Sequence, residues 1–284
     1  MTFLLQSESG SGVVSRGRIH YGFFMRHIRS TMMAAWALTS VALYTLAVSL
    51  PILILAPFSR TGRVTYAMAR VWSWLVLKTH RVQVEAEGLE KIAKDRSYVF
   101  ISNHVSHLDS PAIALSVPNT LRFVGKASLS RIPVFGLATR LIKVIYIDRS
   151  DPQRAIETLN QAIEALRSGV SALFYAEGTR SPDGRLRAFK KGGVMLAMQA
   201  GLPIVPVTVV GSFGVLPKKQ LQIHPGRIRV VIADPIQPVA HADRDQLLAA
   251  VRDVIQENLR RHNPLSPKDV PAADGARVFP PRTA

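Results

Sequence analysis

Residues 98–109 read YVFISNHVSHLD. YVFIS is a short run of aromatic and β-branched residues, the composition of a strand, and it passes without a break into a mostly polar cluster at 103–107. Asp109, Ser110 and Pro111 then supply an acidic cap and a first-turn proline, which start a helix. Strand, turn and helix in that order form the repeating unit of an α/β sheet. Similar β-rich runs stand at 121–125 (LRFVG), 144–148 (VIYID), 171–176 (SALFYA), 204–211 (IVPVTVVG) and 228–234 (IRVVIAD). Helical patterns separate several of them. At 151–168, Pro152 sits at a first helical position, Ile156, Leu159, Ile163 and Leu166 repeat on one face, and Gly169 stops the pattern. At 243–262, Asp243 caps a face of Leu247, Leu248, Val251, Ile255 and Leu259. The alternation predicts an α/β fold with a mixed, largely parallel sheet covered by helices, and such folds gather their sites at strand ends.

His104 and Asp109 lie five residues apart, about 140° around an ideal helix, so they do not meet if both are helical. Across a strand-to-helix turn they can. The carboxylate would then hold one ring nitrogen and leave the other free to take a proton from a substrate hydroxyl. That is a base with its orienting carboxylate, two members of a hydrolase triad, without a protein nucleophile. The chain has no Cys and no G-x-S-x-G elbow, so a substrate hydroxyl would attack directly. Two plainer readings compete: His104 as an ordinary loop residue with Asp109 as a helix cap, or a metal site of His104, His107 and Asp109. No further acidic or His cluster completes a metal shell.

After SALFYA come Glu177, Gly178, Thr179 and Arg180, with a turn at 181–184 behind them. A guanidinium at a strand end, beside a glycine that permits close approach, suits a phosphate, and Lys126 can add a second charge on the same sheet edge. FKKGG at 189–193 opens an apolar helix with two more cations. Each of these alone reads equally as a solvated charge or a turn.

The N-terminal part differs. Between Arg29 and Arg60 there is no charged residue, and 32–58 is almost wholly apolar, about 40 Å as helix against a bilayer core of about 30 Å. That length predicts membrane entry rather than a cleaved signal or a buried core helix. Arginines stand on both sides of the run, and positive residues favour the cytoplasmic side, so a half-immersed hairpin bending near Pro51 or Pro57 fits better than a single crossing. Its second arm is 63–78, where Val64, Ala67, Met68, Val71, Trp72, Leu75 and Val76 form one helical face; a plain helix docked on the core is the alternative. The expected organisation is a basic segment (1–29), a membrane-associated helical region (30–80), an α/β domain (81–262) and a proline-rich disordered tail (263–284). The chain of 284 residues carries a net charge of +17 while 48% of it is hydrophobic, which excludes a mainly disordered protein and leaves nucleic acid, anionic lipid or a phosphate-bearing substrate as partners of the charge. Without Cys there is no disulfide framework or Cys-ligated metal centre.

Taken together these motifs resemble the 1-acylglycerol-3-phosphate acyltransferases, the lysophosphatidate acyltransferases of phospholipid synthesis. NHVSHLD is similar to the family's NHxSxxD block, GKASLSRIPVFG (125–136) to its second block, VIYIDR (144–149) to its third, and EGTRSPDG with FKKGG to its fourth, followed by IVPVTVVGS. The match covers about 80–235 in the family's order, with Lys143 and Tyr146 departing from its usual small residue and Phe. The resemblance implies that His104 is the general base and Asp109 its orienting partner. It implies that Lys126, Arg149, Glu177, Gly178, Thr179 and Arg180 form the acceptor site, with Lys126 and Arg180 on the phosphate. It further implies lysophosphatidic acid as acceptor, acyl-CoA or acyl carrier protein (acyl-ACP) as co-substrate, no bound cofactor or metal, and no acyl-enzyme. The expected location is the cytoplasmic membrane, with the catalytic domain facing the cytoplasm and contacting membrane lipid. The same chemistry on a lyso-ornithine lipid, a lysophospholipid or glycerol 3-phosphate is an open alternative. A nonenzymatic membrane or nucleic-acid binder is another, though ordered motifs and the apolar run leave nucleic acid as the weakest partner.

Overall fold

The structure, a computed structural model, describes residues 12–59, 61–147, 152–238 and 243–262. Arg149, the first 11 residues and the tail at 263–284, each the subject of an expectation above, lie outside the described residues.

The chain opens with two helices, α1 (Gly12–Leu55) and α2 (Arg63–Thr79). The sheet domain follows in the order β1 (Val82–Glu87), β2 (Val99–Ser102), α3 (Asp109–Ser116), β3 (Leu121–Lys126), α4 (Phe135–Leu141), β4 (Ile145–Ile147) and α5 (Pro152–Arg167). It continues with β5 (Ser171–Tyr175), α6 (Gly192–Ala200), β6 (Ile204–Val210), α7 (Ser212–Val215), β7 (Gly226–Ile232) and α8 (Arg244–His262). Every strand and both helices expected of the α/β region are present within a few residues. The addition is β1, whose VQVEAE has only a weak apolar alternation because it is an edge strand with one half-solvated face.

The seven-stranded sheet has the order β1-β7-β6-β2-β5-β3-β4, and every pair is parallel except β6 with β7. This is the mixed, largely parallel sheet that the alternation predicts. β2 is central, flanked by β5 and β6, and its Val99, Phe100 and Ile101 are all buried because both faces are covered. Phe100 belongs to the core under α1, α2 and α3; Val99 and Ile101 belong to the core under α5, α6 and α8. On α8 the side chains of Leu247, Val251 and Ile255 are fully buried, and the Asp243 carboxylate accepts the Asp245 N–H at 3.1 Å, as a cap does.

α1 and α2 form a hairpin. The stretch Ile28–Phe58 is long and apolar enough to cross a membrane. Ala37, Ser40, Val48 and Ile52 are buried along one side of α1, while Met32, Trp36, Leu43, Leu46, Leu50, Leu53 and Ile54 face outward. The seam with α2 is polar in part. Tyr44 and Thr79 share a hydrogen bond of 2.7 Å, the Trp72 indole donates to Thr45 at 3.1 Å, and Ser40 meets His80 at 3.0 Å. Pro51 does not end α1, which continues to Leu55; Pro57 lies in the 3-10 turn Ala56–Phe58 that does close it. Gly62, at φ +65, makes the corner, and a side chain there would strike the Arg122 guanidinium.

α2 departs from the expected single apolar face. Its buried residues are Thr65, Tyr66, Ser73, Val76 and Leu77, whereas Val64, Val71 and Trp74 are exposed. The helix is wedged between α1 on one side and α3 and β1 on another. Small hydroxylated residues therefore fill the close approaches, and much of the apolar stripe is left facing out.

Candidate active site

The central strand β2 delivers Asn103 and His104 to the C-terminal edge of the sheet. Asn103 is clamped to β6: its amide donates to the Val209 carbonyl at 3.0 Å and its side-chain oxygen accepts the Val209 N–H at 2.8 Å. The chain then turns, and Asp109 becomes the first residue of α3. His104 and Asp109 meet across this turn, with Nδ1 2.8 Å from Oδ2. The same oxygen accepts the N–H groups of Val105 and Ser106 at 2.8 and 2.9 Å, and Oδ1 accepts the Ser212 hydroxyl at 2.5 Å. The Asp109 side chain is 0% exposed and that of His104 16%. A buried carboxylate so fully provided with donors is compensated as an anion. It orients Nδ1–H toward itself and leaves His104 Nε2 available on the partly open side.

The ring is also held by its face. Tyr175, the last residue of β5, stacks on it with centroids 3.8 Å apart and planes 14° from parallel. The Tyr175 hydroxyl bonds Ser110 at 2.7 Å, and burial pushes its pKa well above the ordinary phenol value, so it stays protonated. Tyr175, Ser110 and Ser212 were not singled out as site residues by their spacing. Ser212 reaches Asp109 from 103 positions away, and only its place in the IVPVTVVGS stretch hinted at a role.

The 177–180 loop lies beside His104 because β5 pairs with β2, with Tyr175 in register with Ser102. The Ser181 N–H donates to the His104 carbonyl at 2.8 Å. Glu177 is buried, and its two oxygens accept the backbone N–H groups of His104 at 3.0 Å and Arg187 at 3.1 Å. Burial raises its pKa and those hydrogen bonds oppose the rise. It braces the His104 loop, with each carboxylate oxygen engaged by a backbone N–H. Gly178 takes φ +70 at the tip of the turn, and Thr179 is exposed. The Lys218 ammonium donates to the Arg180 carbonyl at 2.8 Å, fixing that backbone. The Arg180 guanidinium has no ion-pair partner among the described residues. Desolvation first, and the Arg180 charge second, lower the pKa of the nearby His107.

Lys126, exposed, ends β3. The register that pairs Phe123 with Leu173 carries it to the C-terminal edge as well, so His104, Arg180 and Lys126 belong to one rim. Of the two cations of FKKGG, Lys191 pairs with Asp245 of α8 at 2.7 Å, while exposed Lys190 is tied by its backbone N–H to the Ala176 carbonyl beside the 177–180 loop. Lys143 and Tyr146 line a cavity of about 510 Å³ with Arg122, Thr61 and α5, which does not include His104 or Arg180. Among the described residues no group of His, Asp and Glu is arranged to hold a metal ion.

We predict that Ser212→Ala lowers stability by about 1.5–3 kcal/mol, the worth of a hydrogen bond to a charged group, and reduces turnover by loosening Asp109. Thermal unfolding and initial rates check this; an unchanged melting temperature would show that the short contact contributes nothing.

A family model described as Acyltransferase matches residues 83–210, which contain nearly the whole rim. A chloroplastic 1-acyl-sn-glycerol-3-phosphate acyltransferase of Arabidopsis thaliana is 32% identical over 211 residues, 73% of this chain and 57% of the plant protein. The chain therefore spans little more than half the length of that relative. A 1-acyl-sn-glycerol-3-phosphate acyltransferase of Chlamydomonas reinhardtii is 30% identical over 236 residues, 82% of this chain and 70% of the algal one. The crystal structure of the 1-acyl-sn-glycerophosphate (LPA) acyltransferase PlsC from Thermotoga maritima aligns with a TM-score of 0.68 and 27% identity, covering 85% of this chain and 99% of that one. With the strand-end His and Asp in place, a matching family model and a relative 30% identical over 82% of this chain and 70% of its own, the chain belongs to the 1-acyl-sn-glycerol-3-phosphate acyltransferase family.

Proposed function

We propose that this protein transfers a fatty acyl group from acyl-CoA or acyl-ACP to the sn-2 hydroxyl of 1-acyl-sn-glycerol 3-phosphate, giving phosphatidic acid. The observation that carries the reading is the His104–Asp109 pair, buried and fully bonded on the carboxylate side and open at Nε2. Nε2 takes the proton as the hydroxyl oxygen attacks the thioester carbonyl, and Asp109 stabilises the imidazolium that forms. The tetrahedral intermediate collapses with cleavage of the carbon–sulfur bond, and the departing thiolate receives the proton from Nε2. No bond to the protein forms at any stage. Arg180 and Lys126 receive the acceptor phosphate, Arg180 through its forked donors and Lys126 as a point charge. Gly178 and Thr179 shape the turn that presents Arg180.

A panel of lysolipid acceptors with radiolabelled acyl-CoA and acyl-ACP tests the reading. Phosphatidic acid should form from lysophosphatidate, and transfer only to an acceptor without a phosphomonoester would replace it. Arg180→Ala should raise the apparent KM for lysophosphatidate by about tenfold to a hundredfold, the affinity equivalent of about 1.5–3 kcal/mol, with a smaller change in kcat. An unchanged KM would remove Arg180 from the phosphate site.

The protein sits on the cytoplasmic membrane with its catalytic domain toward the cytoplasm and the hairpin half-immersed. α1 is held to the rest of the chain along one side: Gln222 bonds Ser30, and Ala37, Ser40, Val48 and Ile52 form the buried stripe. From residue 30 to 52 that is about 33 Å of helix lying along protein, so lipid cannot surround it as it would a crossing helix. Its outward Leu and Trp side chains enter one leaflet instead. In sealed vesicles the N-terminus should be accessible to protease from the same side as the catalytic domain. Access from the opposite side alone would mean a true crossing.

A further inference from the structure

The connection between β3 and β4 is a second exposed apolar element, remote in sequence from the hairpin. In the 3-10 turn Ala127–Arg131 and in α4, the side chains of Leu129, Ile132, Val134, Phe135 and Leu137 are between 36% and 51% exposed. A side chain at Gly136 would come within 2.3 Å of the Ser130 carbonyl, so the two arms close backbone against backbone. No room remains between them there for apolar groups, which stay partly exposed. Val134 is even held at φ 59 in a γ-turn, with the Phe135 N–H donating to the Pro133 carbonyl at 2.6 Å, a conformation unfavourable for a β-branched residue. Arg131 and Arg140 stand exposed among these side chains, and Lys126 immediately precedes them. Apolar side chains interspersed with cations suit an anionic lipid surface.

The position of this element is fixed by the hairpin. α4 packs on α1, and the Thr65 hydroxyl of α2 donates to the Leu141 carbonyl at 3.2 Å. Its outward face is thus continuous with the exposed apolar side of α1. We infer that residues 127–141 form a second membrane-contacting element, inserted at the headgroup level of the same leaflet, which seats the Lys126 end of the acceptor rim at the lipid surface. The inference rests on the half-immersed hairpin proposed above. Its consequence is that a lysolipid reaches Lys126 without its acyl chain leaving the bilayer.

The absence of cysteine makes the test direct. Single variants Ile132→Cys, Leu137→Cys, Leu46→Cys and Asp253→Cys of the full chain are labelled with an environment-sensitive fluorophore and bound to vesicles of mixed anionic and zwitterionic phospholipid carrying nitroxide-labelled lipid. Positions 132 and 137 should be quenched as position 46 of α1 is, and position 253 on α8 should not. Quenching at 46 without quenching at 132 and 137 overturns this inference and leaves the hairpin reading standing. No quenching at 46 removes the membrane seating and this inference with it. A change at 132 and 137 only on adding acyl carrier protein would make the patch a protein-docking surface and also overturns it. As a functional arm, Ile132→Asp with Leu137→Asp should raise the apparent KM for vesicle-borne lysophosphatidate about tenfold, a change equivalent to 1.4 kcal/mol, and leave turnover of a dispersed short-chain acceptor unchanged. Equal loss on both acceptors would mean the fold, not lipid contact, had been damaged, and overturns the inference.

Discussion

His104→Ala should lower kcat by about 10² to 10⁴, the range that general-base catalysis contributes, while the protein stays folded and membrane-bound. The fold should tolerate the change because the His104 backbone makes its own contacts. Its N–H donates to Glu177 and its carbonyl accepts from Ser181, so the loop is held whether or not the ring is present. What disappears is Nε2, the ring nitrogen that the Asp109 contact leaves available to take a proton, together with the surface on which Tyr175 stacks. Initial rates with acyl-CoA and lysophosphatidate, alongside vesicle flotation, check both halves of the expectation. Wild-type turnover would end the mechanism proposed here.

Asp109→Asn is the more discriminating change. The amide is nearly the same shape, and its oxygen can still accept the Val105 and Ser106 N–H groups while its nitrogen faces the Ser212 hydroxyl, which can accept. The turn should therefore survive with a modest loss of stability. Catalysis should not: without the negative charge the imidazolium formed during attack is uncompensated, and an Asn oxygen shared with two backbone donors orients Nδ1–H poorly. A fall in kcat of about 10² to 10⁴ is expected, comparable to that of the corresponding change in a catalytic triad, and KM for the acceptor should change little. A large drop in melting temperature with proportionate loss of activity would instead assign Asp109 to the fold alone.

Much of this site was legible in one segment because it is locally encoded. The strand-ending YVFIS, the polar turn and the Asp-Ser-Pro helix start lie within 98–111, and the orienting contact closes across the turn that this order of residues demands. Glu177 shows where local reading stops. The resemblance placed it in the acceptor site, and what local reading did not show is its bracing contact: β5 pairs directly with β2, and its carboxylate accepts backbone N–H groups of the adjoining loops. In α2 the periodicity found a helix but not its orientation, since three surfaces compete for it and the close contacts select Thr65 and Ser73 over larger apolar side chains.

The sequence by itself determined the class of fold, the long apolar N-terminal helix and the His104–Asp109 pair, because alternation, apolar length and strand-end motifs are properties of contiguous residues. Tertiary structure alone decided which distant groups complete the pair. Ser212 arrives at the start of α7, just past the strand that flanks β2 on one side, and Tyr175 at the end of the strand that flanks it on the other, and no spacing along the chain encodes either contact. The side of α1 that is left exposed was decided in the same way. Any face of so apolar a helix could enter a bilayer, and the face left outside is the one not taken by α2 and the sheet domain.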